Sequence, residues 1–356
     1  MSPKNKQHTE SKEMIQEVDR FVDSLSKAAK AKLKMPTEFN KLCFCGMGAS
    51  AMSGDIIADA ALTSWDIPVH VIRSTGIPSW TDELTLIVAS SYSGNTRETL
   101  MMYEQAKAKG CKIVAMAAGG ELRDRCLKDG NTLIVMPGEM QPRSAVGYTI
   151  GYLANIIEAA GGPKIRTEMT RMLPALRKYR ESIWTRSPDS PAKDIAEKLY
   201  GIVPAIYATG SLSSAAIRWK NQINENAKMI AFNGAIPEMN HNEIVGWSEC
   251  ILRSKCRPVF LCEDEAPDPV KRMMNESIDV MRASGVDSVT VRIEGHTGLE
   301  RSLKAIMLGD YVSLFLAAMN GVDPMEVETI KSFKQRLSAL LGRKKPPAPK
   351  KKKADA

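Results

Sequence analysis

Two short stretches rich in glycine and hydroxyls each follow an apolar run and precede a helical pattern: Gly46-Met47-Gly48-Ala49-Ser50 and Ser90-Ser91-Tyr92-Ser93-Gly94-Asn95-Thr96. A helix start leaves backbone N–H groups unpaired and carries partial positive charge, and small residues let an anion come close. Serine and threonine hydroxyls add donors without fixed charge. The chemistry on offer is the grip of a phosphate. The plain alternative is a strand-to-helix turn, with Thr96 as N-cap and Glu98 in the first turn. Neither stretch is a dinucleotide fingerprint, because Ala51 stands where the third glycine would be and no acidic residue closes the second strand near Val71–Ser74. A P-loop is absent too, since no Gly-Lys-Ser/Thr occurs. Further on, Gln141-Pro142-Arg143-Ser144 offers a planar guanidinium, which suits a phosphate or a sugar hydroxyl.

The densest polar stretch runs from Arg218 to Trp247. Its helix, about Ser213–Ala227, has polar residues around most of its circumference: Arg218, Lys220, Asn221, Gln222, Asn224, Glu225 and Asn226. Such a helix is either bathed in solvent or lines a polar cleft or a subunit interface. Glu225 is a candidate base, with Glu238 and Glu243 as competitors. Of four histidines, His8 lies near the N-terminus and His70 in a strand, which leaves His241 and His296 as candidates for titration near neutrality. A glutamate and a histidine beside a phosphate pocket suit proton transfer on a phosphorylated sugar.

These residues need elements to position them. From residue 41, short apolar runs alternate with longer amphipathic segments, the pattern of parallel strands joined by helices. Expected strands are Leu42–Cys45, Val69–Arg73, Thr85–Ala89, Lys112–Ala115 and Thr132–Met136, with helices near Ala51–Leu62, Thr96–Lys109, Leu122–Lys128 and Gly147–Ala160. A second set follows, with strands Ala205–Ala208, Pro258–Leu261 and Ser288–Ile293 and helices near Ser213–Ala227, Pro269–Ala283, Leu299–Met319 and Pro324–Leu341. The first strand exits of the two halves, FCGMGASA from Phe44 and YATGSLSS from Tyr207, match in pattern. The fold class is therefore α/β, with two doubly wound domains of parallel strands flanked by helices. The ligand belongs at the carboxyl edge of the first sheet. The divisions are 1–34 (a helical extension), 35–160, a helical connector at 161–198, 199–342, and a disordered basic tail at 343–356.

Composition excludes several classes. The net charge of +8 comes mostly from the tail, which holds seven of the 49 basic residues and one of the 41 acidic ones. No aromatic residues interleave with its charges, so no specific nucleic-acid partner is expected. No run approaches the roughly 20 apolar residues that span a bilayer, and residues 1–6 lead into polar sequence unlike a signal peptide. The seven cysteines sit mostly in apolar runs (Cys43, Cys45, Cys111, Cys262) and read as reduced core residues of a cytoplasmic protein. No second Cys or His pair at zinc spacing accompanies Cys43 and Cys45, so neither metal nor other cofactor is expected.

Together the stretches Gly46–Ala51, Ser90–Thr96, Asn224-Glu225-Asn226-Ala227-Lys228, Pro237-Glu238-Met239-Asn240-His241-Asn242-Glu243 and Asp323-Pro324 resemble the bifunctional phosphoglucose/phosphomannose isomerases of archaea and some bacteria. That family has two sugar-isomerase (SIS) domains, and the likeness runs in order from about residue 35 to 341. The resemblance implies interconversion of fructose 6-phosphate with glucose 6-phosphate and mannose 6-phosphate. It also implies a homodimer whose active sites are completed across the interface. Ala49, Ser50, Ser91, Ser93, Thr96 and Arg143 would contact phosphate and sugar. Glu225 would move a proton between C1 and C2, His241 would open the ring from the second subunit, and Lys334, with Lys331 as rival, would assist it. Two positions depart: Ala49 stands where the family has glycine, and Met325 where a threonine often follows Asp-Pro. The competing reading from another class is a non-catalytic SIS module that binds a sugar phosphate and regulates a partner. Residues 1–34 are too short and too charged for the helix-turn-helix domain such regulators carry. An isomerase of amino-sugar phosphates would usually add an amidotransferase domain, for which no chain remains.

Overall fold

The apolar runs form two parallel sheets in a computed structural model that describes residues 12–36, 38–184, 190–249, 251–263 and 268–342. The expected tail at 343–356 lies outside the described residues. The first sheet comprises β1 (Lys41–Gly46), β2 (Val69–Ile72), β3 (Thr85–Ser90), β4 (Lys112–Ala117) and β5 (Thr132–Val135), in the order β2-β1-β3-β4-β5. All its pairings are parallel. Such strands are covered on both faces, which is why β3 is buried along its whole length and its sequence, Thr-Leu-Ile-Val-Ala-Ser, shows no polar alternation. Gly46 pairs in register with Ser90. The two small-residue loops therefore leave the sheet side by side where strand order reverses, the crevice in which α/β folds bind ligands.

The second sheet comprises β6 (Val203–Ala208), β7 (Phe232–Ala235), β8 (Cys256–Glu263) and β9 (Val289–Ile293), in the order β7-β6-β8-β9. The sequence suggests three of these strands. The fourth, β7, is a four-residue edge strand, largely exposed, and Phe-Asn-Gly-Ala carries no apolar pattern.

Around the first sheet lie α1 (Lys12–Asp19), α2 (Phe21–Ala29), α3 (Gly48–Ala61), α4 (Arg97–Ala108), α5 (Gly120–Lys128) and α6 (Val146–Ala159). Then follow α7 (Ile165–Ile183), α8 (Pro191–Leu199), α9 (Ser213–Ala227), α10 (Glu243–Glu249), α11 (Asp268–Ala283), α12 (Gly298–Met319) and α13 (Glu328–Gly342). The N-terminal helices are no loose extension: Met14, Val18, Phe21, Val22 and Leu25 are buried, and α2 packs along α6. One continuous core joins the two halves, with Phe44, Leu86, Ile150, Trp219, Leu303 and Ile306 in the same cluster.

At its centre is α12, which packs on α9, α8 and α7. Its 22 residues are long and apolar enough to cross a membrane, contrary to the expectation that no run is, but 78% of that window is buried inside the protein. It is a core helix. Its polar residues are paired: Arg218 of α9 clamps the Asp310 carboxylate through Nε (2.8 Å) and Nη2 (2.9 Å). By contrast, no residue of α13 whose burial is described is buried, and its Ile330, Phe333 and Leu340 are exposed.

Candidate active site

The loop after β3 is built to hold its shape without a ligand. Ser91, 2% exposed, donates its hydroxyl proton to Thr96 Oγ1 (2.9 Å) and accepts from the Thr96 N–H (3.4 Å). Ser93 Oγ accepts from the Asn95 N–H (3.2 Å). Gly94 has φ +69°, and an added Cβ would lie 1.7 Å from the Gly119 carbonyl oxygen, so only glycine fits. Asn95 Oδ1 in turn accepts from the Glu121 N–H (3.0 Å), which fastens the loop to the start of α5. Thr96 does occupy the N-cap position of α4, but its side chain makes no capping bond, since Ser91 holds it. Beside it, α3 begins at Gly48 behind an extended Met47 that caps nothing. Ala49 and Ser50 sit in its first turn, and Ala49 is not among the residues with positive φ. The extra methyl therefore carries no left-handed backbone strain.

Arg143 lies beyond β5, 4% exposed, with its side chain directed across to the second half of the molecule. Its Nε donates to Asn226 Oδ1 (2.8 Å), Nη1 to Gln141 Oε1 (3.3 Å) and Nη2 to the Pro324 carbonyl. Nη1 also stands 3.8 Å from Glu225 Oε2. Burial lowers the Arg143 pKa, opposed by the Glu225 charge. The same segment is tied to the loop after β3, because the Met140 N–H donates to Tyr92 Oη (3.1 Å). The sequence suggests a phosphate or a sugar hydroxyl for Arg143; among the described residues the carboxylate nearest its guanidinium is Glu225, at the junction of the two halves.

Glu225 ends α9 beside an open cavity of about 710 Å³, whose wall also includes Asn224, Lys228, Asp323, Glu326 and Glu328. Lys228 follows the helix in the left-handed conformation (φ 57°). Its Nζ donates to the carbonyls of Glu225 (2.7 Å), Asp323 (2.9 Å) and Glu326 (2.7 Å). Those bonds tie the end of α9 to the turn before α13. Burial lowers the Lys228 pKa, with the Arg143 charge adding to the effect. The sequence singled out neither Asn226 nor Lys228, although both lie inside the Asn224–Lys228 stretch.

The competing carboxylates are committed elsewhere. Glu243 accepts from the Tyr207 hydroxyl, which itself accepts from Trp247 Nε1 (2.9 Å), and Glu238 accepts from Asn242 Nδ2 (2.8 Å). His241 ends a short 3-10 helix, Glu238–His241, after β7; it is exposed and does not line the Glu225 cavity. Lys331 and Lys334 are exposed on α13 and do not line it either, and Lys331 pairs with Glu328 at 3.8 Å. Within one chain the structure thus brings together Arg143 and Glu225, and gathers Ala49, Ser50, Ser91, Ser93 and Thr96 at the β1/β3 edge. His241 and Lys334 stand apart. Among the described residues no group of three or more His, Cys, Asp or Glu side chains could hold a metal.

Residues 188–337 match the family model described as the bacterial phospho-glucose isomerase C-terminal SIS domain. A bifunctional phosphoglucose/phosphomannose isomerase of Caldicellulosiruptor bescii is 34% identical over 92% of this chain and 97% of that protein. Its namesake in Aquifex aeolicus is 32% identical, over 85% of this chain and 91% of its own. The chain belongs to the bifunctional phosphoglucose/phosphomannose isomerase family. The fold is shared more widely. The C-terminal domain of glucosamine-fructose-6-phosphate aminotransferase from Francisella tularensis superposes with a TM-score of 0.71 at 14% identity, covering 88% of this chain and 98% of that one. The two parallel sheets expected from the sequence are present. Met325 donates its backbone N–H to Asp323 Oδ1 (2.8 Å) in the turn that receives Arg143 and Lys228.

Proposed function

We propose that this chain is an aldose–ketose isomerase that interconverts fructose 6-phosphate with glucose 6-phosphate and mannose 6-phosphate through an enediol. The observation that carries the reading is that Glu225, on the wall of a cavity of about 710 Å³, stands 3.8 Å from the buried guanidinium of Arg143. The carboxylate takes the proton from C2 of the aldose while O1 gains a proton from water to give the enediol; it then returns its proton to C1 while the O2 hydroxyl gives its proton back to water and C2 becomes the carbonyl. The same steps in reverse start from the ketose. Protonation of either face at C2 gives glucose or mannose phosphate. No electron leaves the substrate, so acid–base groups suffice. A guanidinium beside the base favours negative charge that gathers on an enediolate next to it.

Phosphate binding falls to the hydroxyls of Ser50, Ser91, Ser93 and Thr96 and to the helix starts at Ala49 and Arg97. Binding energy gathered there, remote from the reacting carbons, positions C1 and C2. Ring opening falls to His241 of a second copy of the chain and to Lys334. Support for the dimer is that His241 lies away from the Glu225 cavity and that Phe333 and Leu340 of α13 are exposed among the described residues. The division into 35–160 and 199–342 follows the two sheets. A cytoplasmic enzyme of central sugar metabolism agrees with thiols that are free at six described cysteines, where burial pushes Cys43 up to about 12. The test is a coupled assay on fructose 6-phosphate with a chelator present, scoring the two aldose products separately. Production of both supports the reading, and production of neither overturns it.

A further inference from the structure

Every hydrogen-bond acceptor that Arg143 finds is neutral: the Asn226 amide oxygen, the Gln141 amide oxygen, the Pro324 carbonyl and, at 3.8 Å, the Met14 sulfur. Among the described residues Glu225 is the one carboxylate within 4.0 Å of its guanidinium. A buried arginine is ordinarily matched directly to a carboxylate, as Arg218 is to Asp310. Arg143 departs from that pattern.

Asn226 is the residue that sets this up. It is fully buried, and both ends of its amide are fixed. Ser313 Oγ gives its proton to the Asp310 carbonyl (2.6 Å), so its oxygen needs a donor, which Asn226 Nδ2 supplies (2.9 Å). The amide oxygen is left facing Arg143 Nε (2.8 Å). A flipped amide would set donor against donor at Arg143 and leave Ser313 Oγ without a donor. The anchor of the chain is the Arg218–Asp310 pair on the same face of α9.

We propose that Asn226 is a positioning residue whose neutral amide aims Arg143 at Glu225 while leaving the guanidinium charge uncompensated. The proposal rests on the isomerase reading of this site. A carboxylate at 226 would keep the shape and hold Arg143 more tightly, but it would draw the positive charge from Glu225 and from an anionic enediolate beside it. The other charges near Arg143 are Glu17, Asp310, Arg218 and Lys228, and none of them changes in the substitution.

The test compares wild type, Asn226→Asp and Asn226→Ala for kcat, KM and inhibition by two probes. One is an aldonohydroxamate phosphate, whose ionised head resembles the enediolate; the other is a hexitol 6-phosphate, uncharged at the same carbons. Asn226→Asp is expected to lower kcat by about 10- to 100-fold and to weaken the hydroxamate by about as much, with KM and hexitol affinity within about twofold. It should be more harmful than Asn226→Ala. A purely structural role predicts the reverse order, since aspartate is the closer shape, and that order overturns the proposal. Should Asn226→Asp not fold, the alanine variant decides: a larger loss for the hydroxamate than for the hexitol supports the proposal, and equal losses overturn it. A wild-type protein that bound neither probe would refute the isomerase reading instead.

Discussion

Gly94→Ala separates the phosphate loop from ordinary turn chemistry. Gly94 has φ +69°, and the Cβ of an alanine there would lie 1.7 Å from Gly119 O and 2.7 Å from Gly119 C. Both are backbone atoms, so no side chain can swing aside. The two segments must part by more than an ångström before the contact is tolerable. That movement also pulls on the bond between Asn95 Oδ1 and the Glu121 N–H, and through it on Ser91, Ser93 and Thr96. A misplacement of that size can cost about 100-fold in the steps that depend on it. Gly110 supplies the control, since it has φ +70° with nothing within 4 Å of an added Cβ. Either alanine incurs about 1–2 kcal/mol for the left-handed backbone. Only Gly94→Ala should raise KM for fructose 6-phosphate and the inhibition constant of inorganic phosphate, by about 10- to 100-fold. Thermal unfolding and steady-state kinetics on the two variants decide it. A Gly94→Ala enzyme whose KM matched that of Gly110→Ala would refute the assignment of this loop to the phosphate.

Arg218→Met or Asp310→Leu alone leaves a buried charge without its partner and should destabilise the protein by about 3–5 kcal/mol, whereas the double substitution recovers most of the loss. Urea unfolding of the four proteins measures it, and single variants within about 1 kcal/mol of wild type would contradict the structure's account of that pair. Mixing inactive Glu225→Gln and His241→Ala subunits and allowing exchange should restore about a quarter of wild-type activity, because half the dimers would then hold one intact site. No recovery would remove His241 from the neighbouring subunit's site.

What the sequence reveals depends on how far apart the interacting residues are. Helix α9 is legible to its ends, Ser213–Ala227, because its start and stop signals are local. Its polar face is legible too, but not its destination: the sequence leaves solvent, a polar cleft and a subunit interface open for Arg218, Gln222 and Asn226, and α12 buries all three, bringing Asp310 to Arg218 and Ser313 to Asn226. The turn at 323–327 hides for the same reason. An expected helix start at Pro324 becomes Glu328 because the Asp323, Pro324 and Glu326 carbonyls turn to receive Lys228 and Arg143. Strand β7 is lost to any pattern because its four residues gain their place from pairing with β6 rather than from burial. The site's hydroxyl loops are legible since glycine and serine at a strand exit are a local signal. The contact between Arg143 and Glu225 spans the two halves, and nothing local announces it.

The central claim is that the Glu225 carboxylate carries hydrogen between neighbouring carbons of a bound hexose phosphate. Glu225→Gln keeps the side chain's size and its place by Arg143 but removes its basicity, so binding and chemistry part company. In heavy water, the wild type should exchange solvent deuterium into C1 of fructose 6-phosphate. The variant should bind the same ligand within about threefold of wild type by calorimetry and slow exchange by about 1,000-fold or more, the scale expected when a positioned base is lost. Deuterium incorporation in the variant at the wild-type rate would contradict the account.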